Sequence, residues 1–233
     1  ADCAPQQRRY TMIAPGKYQP MSEDCLTLNV VTPRWPGTEP ANEPLPVMFF
    51  IHGGGYILGS SATPIYDGAA LARRGCVYVS VNYRLGALGC VDFSSLSTSD
   101  IPIESNLFLR DIVAALRWVR ENIAAFGGDP ANVTIFGESA GAHAVATLLA
   151  VPEAEGLFHQ AISQSPASGM VSTPEVAAEV ADRFAERLHV SRGDAAARLM
   201  TAKPAELVHA MDAVMRHSLT NMLGAAAVGP TCG

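Results

Sequence analysis

The sequence predicts an α/β fold, a mostly parallel sheet with helices on both faces. Three observations predict it. Short, mostly apolar runs recur at residues 47–51, 77–81 and 133–136, and Ala161-Ile162-Ser163-Gln164 reads as one more strand. Between two of them, Leu109, Ile112, Val113, Leu116, Val119 and Ile123 recur at helical spacing, with Arg110, Arg117, Arg120 and Glu121 on the other face. Two of the apolar runs feed directly into glycine-rich turns, His52-Gly53-Gly54-Gly55-Tyr56 and Gly137-Glu138-Ser139-Ala140-Gly141.

Each element has its own signal. Leu26-Thr27-Leu28-Asn29-Val30 alternates apolar and polar, as a half-exposed strand does. Residues 32–46 carry Pro33, Pro36, Pro40, Pro44 and Pro46 and read as a surface loop between two strands. Residues 47–51 and 77–81 are buried strands, with a short helix at 69–73 before the second. Gly127-Gly128 ends the helix that starts near Leu109, and Asp129-Pro130 turns the chain into the strand at 133–136. Residues 142–150 are rich in Ala, Val and Leu and read as a buried helix. Thr173-Pro174 is an N-cap and first-turn pair, followed by Val176, Val180, Phe184 and Leu188. Pro204 opens another helix through Leu207, Met211 and Val214.

Composition narrows the function. The chain of 233 residues is 48% hydrophobic and 16% charged, enough apolar material for one large buried domain. A net charge of −6 does not suggest a nucleic-acid partner. No apolar run approaches the ~18 residues of a membrane span. No Cys/His spacing suggests a metal site.

The motif Gly137-x-Ser139-x-Gly141 lies between a predicted strand and a predicted helix. A serine on such a turn is forced into a strained backbone, with its hydroxyl clear of the sheet. Glycines on either side supply the small volume that the close approach needs. The three glycines after residue 51 let backbone N–H groups turn toward a ligand. Together Gly54, Gly55 and Ala140 make a three-donor oxyanion hole, in which one donor can contribute ~3 kcal/mol to lowering the barrier. His52 adjoins this loop and precedes the serine, so it orients the loop by hydrogen bonding rather than acting as a base. Glu138 is not the catalytic acid, because its side chain leaves the turn on the wrong side of Ser139.

The segment Ser22-Glu23-Asp24-Cys25-Leu26-Thr27-Leu28-Asn29-Val30 resembles a signature of the type-B carboxylesterases, the family that includes the cholinesterases. Residues 47–59, 79–86 and 126–141 resemble the same family in the same order, up to about Ser168, and bacterial esterases are the most similar in character. Ser105-Asn106-Leu107-Phe108 departs from the family's glycine-containing version. The resemblance implies an α/β-hydrolase core. It implies Ser139 as nucleophile and Gly54, Gly55 and Ala140 as oxyanion donors. It implies Ser165 as a serine supporting the catalytic hydrogen-bond network, with Glu138 and His52 beside it. It further implies a buried structural ion pair between Glu23 and Arg84 and a small-loop disulfide between Cys3 and Cys25. Free thiols at all five cysteines are the alternative. Cys76 and Cys90 read as core fillers.

Hydrolases of this fold order their triad Ser, Asp/Glu, His. After residue 164 no further strand is legible. His189, His209 and His217 lie in or beside helices, as do Asp182, Glu186, Asp194 and Asp212, and they read as solvated helix faces. The expected organisation is therefore an α/β-hydrolase core truncated at both ends. Residues 1–168 carry the oxyanion loop and nucleophile elbow, and residues 169–233 form an incomplete helical segment of the same domain. The expected activity is cleavage of a small-molecule carboxylic ester through an acyl-serine. It needs no cofactor, and its missing His and acid come from remaining segments of the same polypeptide. An amidase or thioesterase on the same machinery is one alternative; a non-catalytic, cholinesterase-like binding or adhesion domain is the other.

Overall fold

The computed structural model describes residues 2–3, 21–33, 43–220 and 228–232. Two short strands, β1 (Asp2–Cys3) and β2 (Met21–Ser22), pair in parallel. The main sheet holds β3 (Leu28–Val31), β4 (Leu45–Ile51), β5 (Val77–Val81), β6 (Gly128–Glu138) and β7 (Gln160–Gln164). Its spatial order is β3-β5-β4-β6-β7. β3 runs antiparallel to β5, and every other neighbour is parallel.

The strands form where the residues favour them. β5 is β-branched and aromatic and buried at every position, as the interior of a parallel sheet requires. β4 starts at Leu45, so Pro46 belongs to the strand and not to the expected loop. Pro is tolerated there because it lies at the strand's opening. Residues 34–42 of that loop lie outside the described residues. The expected turn at Asp129-Pro130 is an interruption within β6: Leu45 pairs Gly128 and Val47 pairs Val133. Asp129 accepts the N–H of Ala131 at 2.8 Å to close it.

Helices cover the sheet. α1 (Ala69–Ala72) packs on β5, α2 (Leu107–Asn122) on β6, and α3 (Ala140–Leu148) on β4, β6 and β7. α2 buries Leu109, Ile112, Val113, Leu116 and Val119 of the stripe its spacing predicts, and Phe108 besides; Ile123, the last of the stripe, is buried in the turn that follows. The helix hands over to this short 3-10 turn, which Gly127 stops at φ 81°, a conformation glycine adopts without strain. The remaining helices are α4 (Pro174–Arg187), α5 (Arg192–Thr201) and α6 (Pro204–Thr220). Thr173 caps α4 by accepting the N–H of Val176. α5 has no clear apolar pattern in the sequence; its signal is the cap, Ser191 and Asp194 bonded to each other at 2.6 Å. The helical segment joins the central core through Phe93 and Phe184, whose rings meet edge to face at 4.9 Å.

One expected pairing is corrected. Arg84 is held by Asp111 of α2, not by Glu23. Its Nε and Nη2 donate to the Asp111 carboxylate at 2.8 and 2.6 Å, and its backbone N–H adds a third bond at 3.0 Å. Glu23 is exposed. Asp111 wins because helix α2 presents a buried carboxylate at the residue where the chain leaves the end of β5, and planar guanidinium matches it bidentately. The Cys3–Cys25 pairing involves a side chain outside the described residues. Cys25, Cys76 and Cys90 are buried, and Cys232 is exposed. The Cys90 and Cys76 thiols lie against the carbonyls of Arg84 and Leu71.

Candidate active site

Strand order sets the place of the site. β4 leads by way of α1 to β5 on one side, and β6 leads by way of α3 to β7 on the other. Loops leaving adjacent strands in opposite directions open a crevice at the strands' carboxyl ends. The β4–β6 ladder ends at Ile51 and Gly137. Ile51 leads into the glycine loop, and Gly137 leads into the serine turn.

The turn is built as the motif requires. Ser139 has φ 57° and ψ −120°, a strained conformation for a residue with a side chain. It is held by its N–H, which donates to the carbonyl of Gln164 in β7 at 3.0 Å, and by its carbonyl, which accepts the N–H of His143 at 2.9 Å. Both flanking glycines are obligatory for packing. A Cβ on Gly141 would meet the carbonyl oxygen of Ile51 at 2.1 Å, and one on Gly137 would meet the Gly141 carbonyl carbon at 2.6 Å. The serine turn is thus pressed onto the end of β4 with no room for side chains.

The glycine loop lies against it. A Cβ on Gly53 would sit 3.2 Å from Ser139 Cβ, so the start of the loop touches the serine. Gly54 and Gly55 have φ 118° and 60°, and the N–H groups of Ile57 and Leu58 both donate to Gly54 O. Among the described residues, no hydrogen bond outside regular helices and strands takes up the N–H of Gly54, Gly55 or Ala140. Ala140 opens α3, so its N–H also stands at the positive end of a helix. Three donors beside one strained serine suit an oxygen that becomes negative.

The supporting residues take definite places. His52 is 1% exposed, and its Nδ1 lies 2.8 Å from Gly53 O. That carbonyl can only accept, so the proton is on Nδ1. The ring stacks on Tyr83 at 4.5 Å, and Tyr83 Oη donates to His52 O at 2.7 Å. Burial pushes the His52 imidazole down to about 4, against the Gly53 bond that favours charge, so it is neutral near pH 7. Its Nε2 is buried and has no partner among the described residues. Ser165 follows β7 at φ 56° and is exposed, one residue beyond the carbonyl that holds Ser139. Glu138 is exposed, with Oε2 beside Gly53.

Other residues of the site are not singled out by the sequence. Tyr56 comes after Gly55 with φ 62°, and its Oη lies 3.0 Å from His143 Nδ1. A signal for His143 is present: one imidazole in a helix otherwise made of Ala, Gly, Val, Thr and Leu. The histidines after residue 164 are not brought to Ser139 by any hydrogen bond among the described residues, and the Ser139 side chain makes no capping bond. Asp182 is paired with Arg192, and Asp194, in the first turn of α5, is bonded to the capping Ser191. A cavity of about 940 Å³ lies elsewhere, lined among others by Asn106, Arg110, Arg117, Pro174 and Thr231, and Ser139 does not border it. Among the described residues, no group of His, Cys, Asp and Glu is placed to hold a metal ion, and no helix is long and apolar enough to cross a membrane.

Comparison with known proteins agrees with this geometry. Residues 1–230 match the profile of the carboxylesterase family. The para-nitrobenzyl esterase of Bacillus subtilis (strain 168) is 46% identical over 192 residues, which are 82% of this chain and 37% of that protein. The fumonisin B1 esterase of Sphingopyxis macrogoltabida is 50% identical over 146 residues, 62% of this chain and 26% of that protein. The solved structure of a thermophilic PNB esterase superposes with a TM-score of 0.87 at 38% identity, covering 100% of this chain and 46% of that one. The chain thus spans less than half the length of these relatives, and its fold is that of the α/β-hydrolases. With its strained serine and glycine loop meeting at the switch point of the sheet, this chain belongs to the carboxylesterase family.

Proposed function

We propose that Ser139 is the nucleophile of a carboxylic ester hydrolase acting through an acyl-serine. The observation that carries it is the strained Ser139 packed against a loop whose free N–H groups belong to Gly54 and Gly55. Ser139 Oγ attacks the ester carbonyl carbon and gives its proton to a base. The carbonyl oxygen becomes negative beside the N–H groups of Gly54, Gly55 and Ala140. The alcohol leaves with a proton, and water then releases the acid from the serine. His52 keeps the glycine loop in shape, and Ser165 and Glu138 line the rim beside the nucleophile. The base and its acidic partner come from remaining segments of the same polypeptide, a reading supported by the lack, among the described residues, of any histidine side chain hydrogen-bonded to Ser139. Residues 1–168 and 169–233 act as one domain, a reading supported by the single buried cluster that includes Ile135, Phe184 and Met211.

The family and the names of the two esterases above support an ester over an amide or thioester, and an intact Ser139 argues against a purely adhesive domain. The test is Ser139→Ala in the complete polypeptide that carries residues 1–233. Hydrolysis of a nitrophenyl ester and labelling by a fluorophosphonate should both vanish with the circular dichroism unchanged. More than a few per cent of the parental turnover would remove Ser139 from the mechanism.

A further inference from the structure

The two halves of the site are connected by the sheet only as far as Ile51 and Gly137, where the β4–β6 ladder ends. Beyond those residues each loop needs its own restraint, because an oxyanion hole shared between two loops works only if their spacing is fixed. Tyr56 and His143 span the gap. Tyr56 is the residue after Gly55, and His143 is the residue whose N–H bonds the Ser139 carbonyl at 2.9 Å. The Tyr56 Oη to His143 Nδ1 distance is 3.0 Å, and the two residues are 0% and 3% exposed.

Packing by itself does not require this chemistry. The Tyr56 ring already lies against Phe108 at 4.8 Å, and a phenylalanine would fill the same volume. A buried hydroxyl without a partner is costly, so a tyrosine here is favoured because His143 Nδ1 shares a hydrogen bond with it. The backbone also resists the arrangement: Tyr56 has φ 62°, a conformation that disfavours side chains. It is kept there by its carbonyl, which accepts the N–H of Gly86 at 2.7 Å, and by the bond to His143.

We propose that the Tyr56–His143 hydrogen bond is a positioning device that sets the spacing between the Gly54–Gly55 donors and the Ser139–Ala140 turn. Neither residue touches the reacting atoms. The inference rests on the reading of Ser139 and the glycine loop given above. Their shared bond locks the loop to the first turn of α3, so that the donors from both sides reach one oxygen. Losing it lets the loop drift by a fraction of an ångström, which lowers turnover more than substrate binding.

The experiment uses the complete polypeptide with a short-chain nitrophenyl ester. Tyr56→Phe, which keeps the ring, should lower kcat about tenfold while KM changes less than twofold. His143→Leu should do the same, and His143→Asn, which keeps a hydrogen-bonding group at the δ position, should recover most of that loss. The double variant Tyr56→Phe/His143→Leu should be no slower than the worse single one, because both remove one interaction. Losses that multiply in the double variant, or a Tyr56→Phe enzyme within twofold of the parental kcat, would overturn the device. If His143→Leu does not fold, Tyr56→Phe and His143→Asn still decide the matter: a tenfold fall in the first with near-parental turnover in the second supports it, and equal turnover in both overturns it. A Ser139→Ala enzyme that still turns over would instead sink the active-site reading itself.

Discussion

β5 and β7 belong to the same sheet and have the same length, yet every residue of β5 is buried and every residue of β7 is exposed. The difference divides the site. On the β4–β5 side, Ser139 faces a finished wall: glycine loop, buried His52, stacked Tyr83 and the Arg84–Asp111 pair behind them. On the β7 side it faces Ser165 at an open edge of the described residues. The donors proposed to stabilise charge therefore stand on the sheet's tightly packed interior side. Electrostatic stabilisation and proton transfer are separable parts of the machinery in such a hydrolase.

The largest test of this contrast is on the finished wall. Gly55→Pro removes one N–H donor and cannot adopt the φ of 60° found there, so turnover should fall between ~10² and ~10³-fold. Gly55→Ala keeps the donor and meets nothing closer than 3.9 Å, so its loss should be far smaller. Equal turnover in parent and proline variants, measured with a nitrophenyl ester, would mean that the loop does not face the carbonyl.

Acid should also strike the wall first. Burial holds His52 neutral with a value of about 4, below the 6.5 of an unperturbed imidazole. The unfolded chain therefore binds the extra proton first as pH falls, and the native state loses stability between pH 6.5 and about 4, by up to ~3 kcal/mol. Above pH 6.5 this contribution is fully present. Urea midpoints measured across the window should drop on acidification in the parent and drop less in His52→Gln. Parallel curves for the two would place the proton elsewhere.

Next in size is the pair behind the wall. Asp111→Ala leaves Arg84 without its bidentate partner and should cost about 2 kcal/mol, tempered because the Arg84 side chain is 32% exposed. Glu23→Ala should change the melting temperature of residues 1–233 by less than a degree or two, since Glu23 is exposed. The reverse ranking would restore the Glu23–Arg84 pairing.

The smallest effect belongs to the open edge. In residues 1–233, Ile162→Ala should cost no more than ~0.5 kcal/mol, because Ile162 is 46% exposed. Ile135→Ala, fully buried one strand away, should cost ~3 kcal/mol. Equal costs in chemical denaturation would mean that β7 is covered in solution, and the contrast between the two sides would fail.

Much of this was legible in the residues. The strands at 77–81 and 161–164, the apolar stripe of α2 and the serine turn arise from local periodicity and from glycine's backbone freedom, which act over a few neighbours. Thr173-Pro174 marked the start of α4 for the same reason. What the sequence could not decide was partnership across distance. Glu23 was the expected partner of Arg84, and Asp111 took its place only once α2 was set over the end of β5. Tyr56 and His143 are 87 positions apart, and nothing local to either announces the other. Burial likewise belongs to the tertiary level: Ala161 and Ile162 read as strand residues, and it is their place in the sheet of the described residues, beside β6 on one edge only, that leaves them exposed there. Local chemistry determined which residues turn, cap and run straight. The parallel pairing of β4 with β6 at the switch point decided which of them meet, because a hydrogen bond depends on position in space and is blind to separation along the chain.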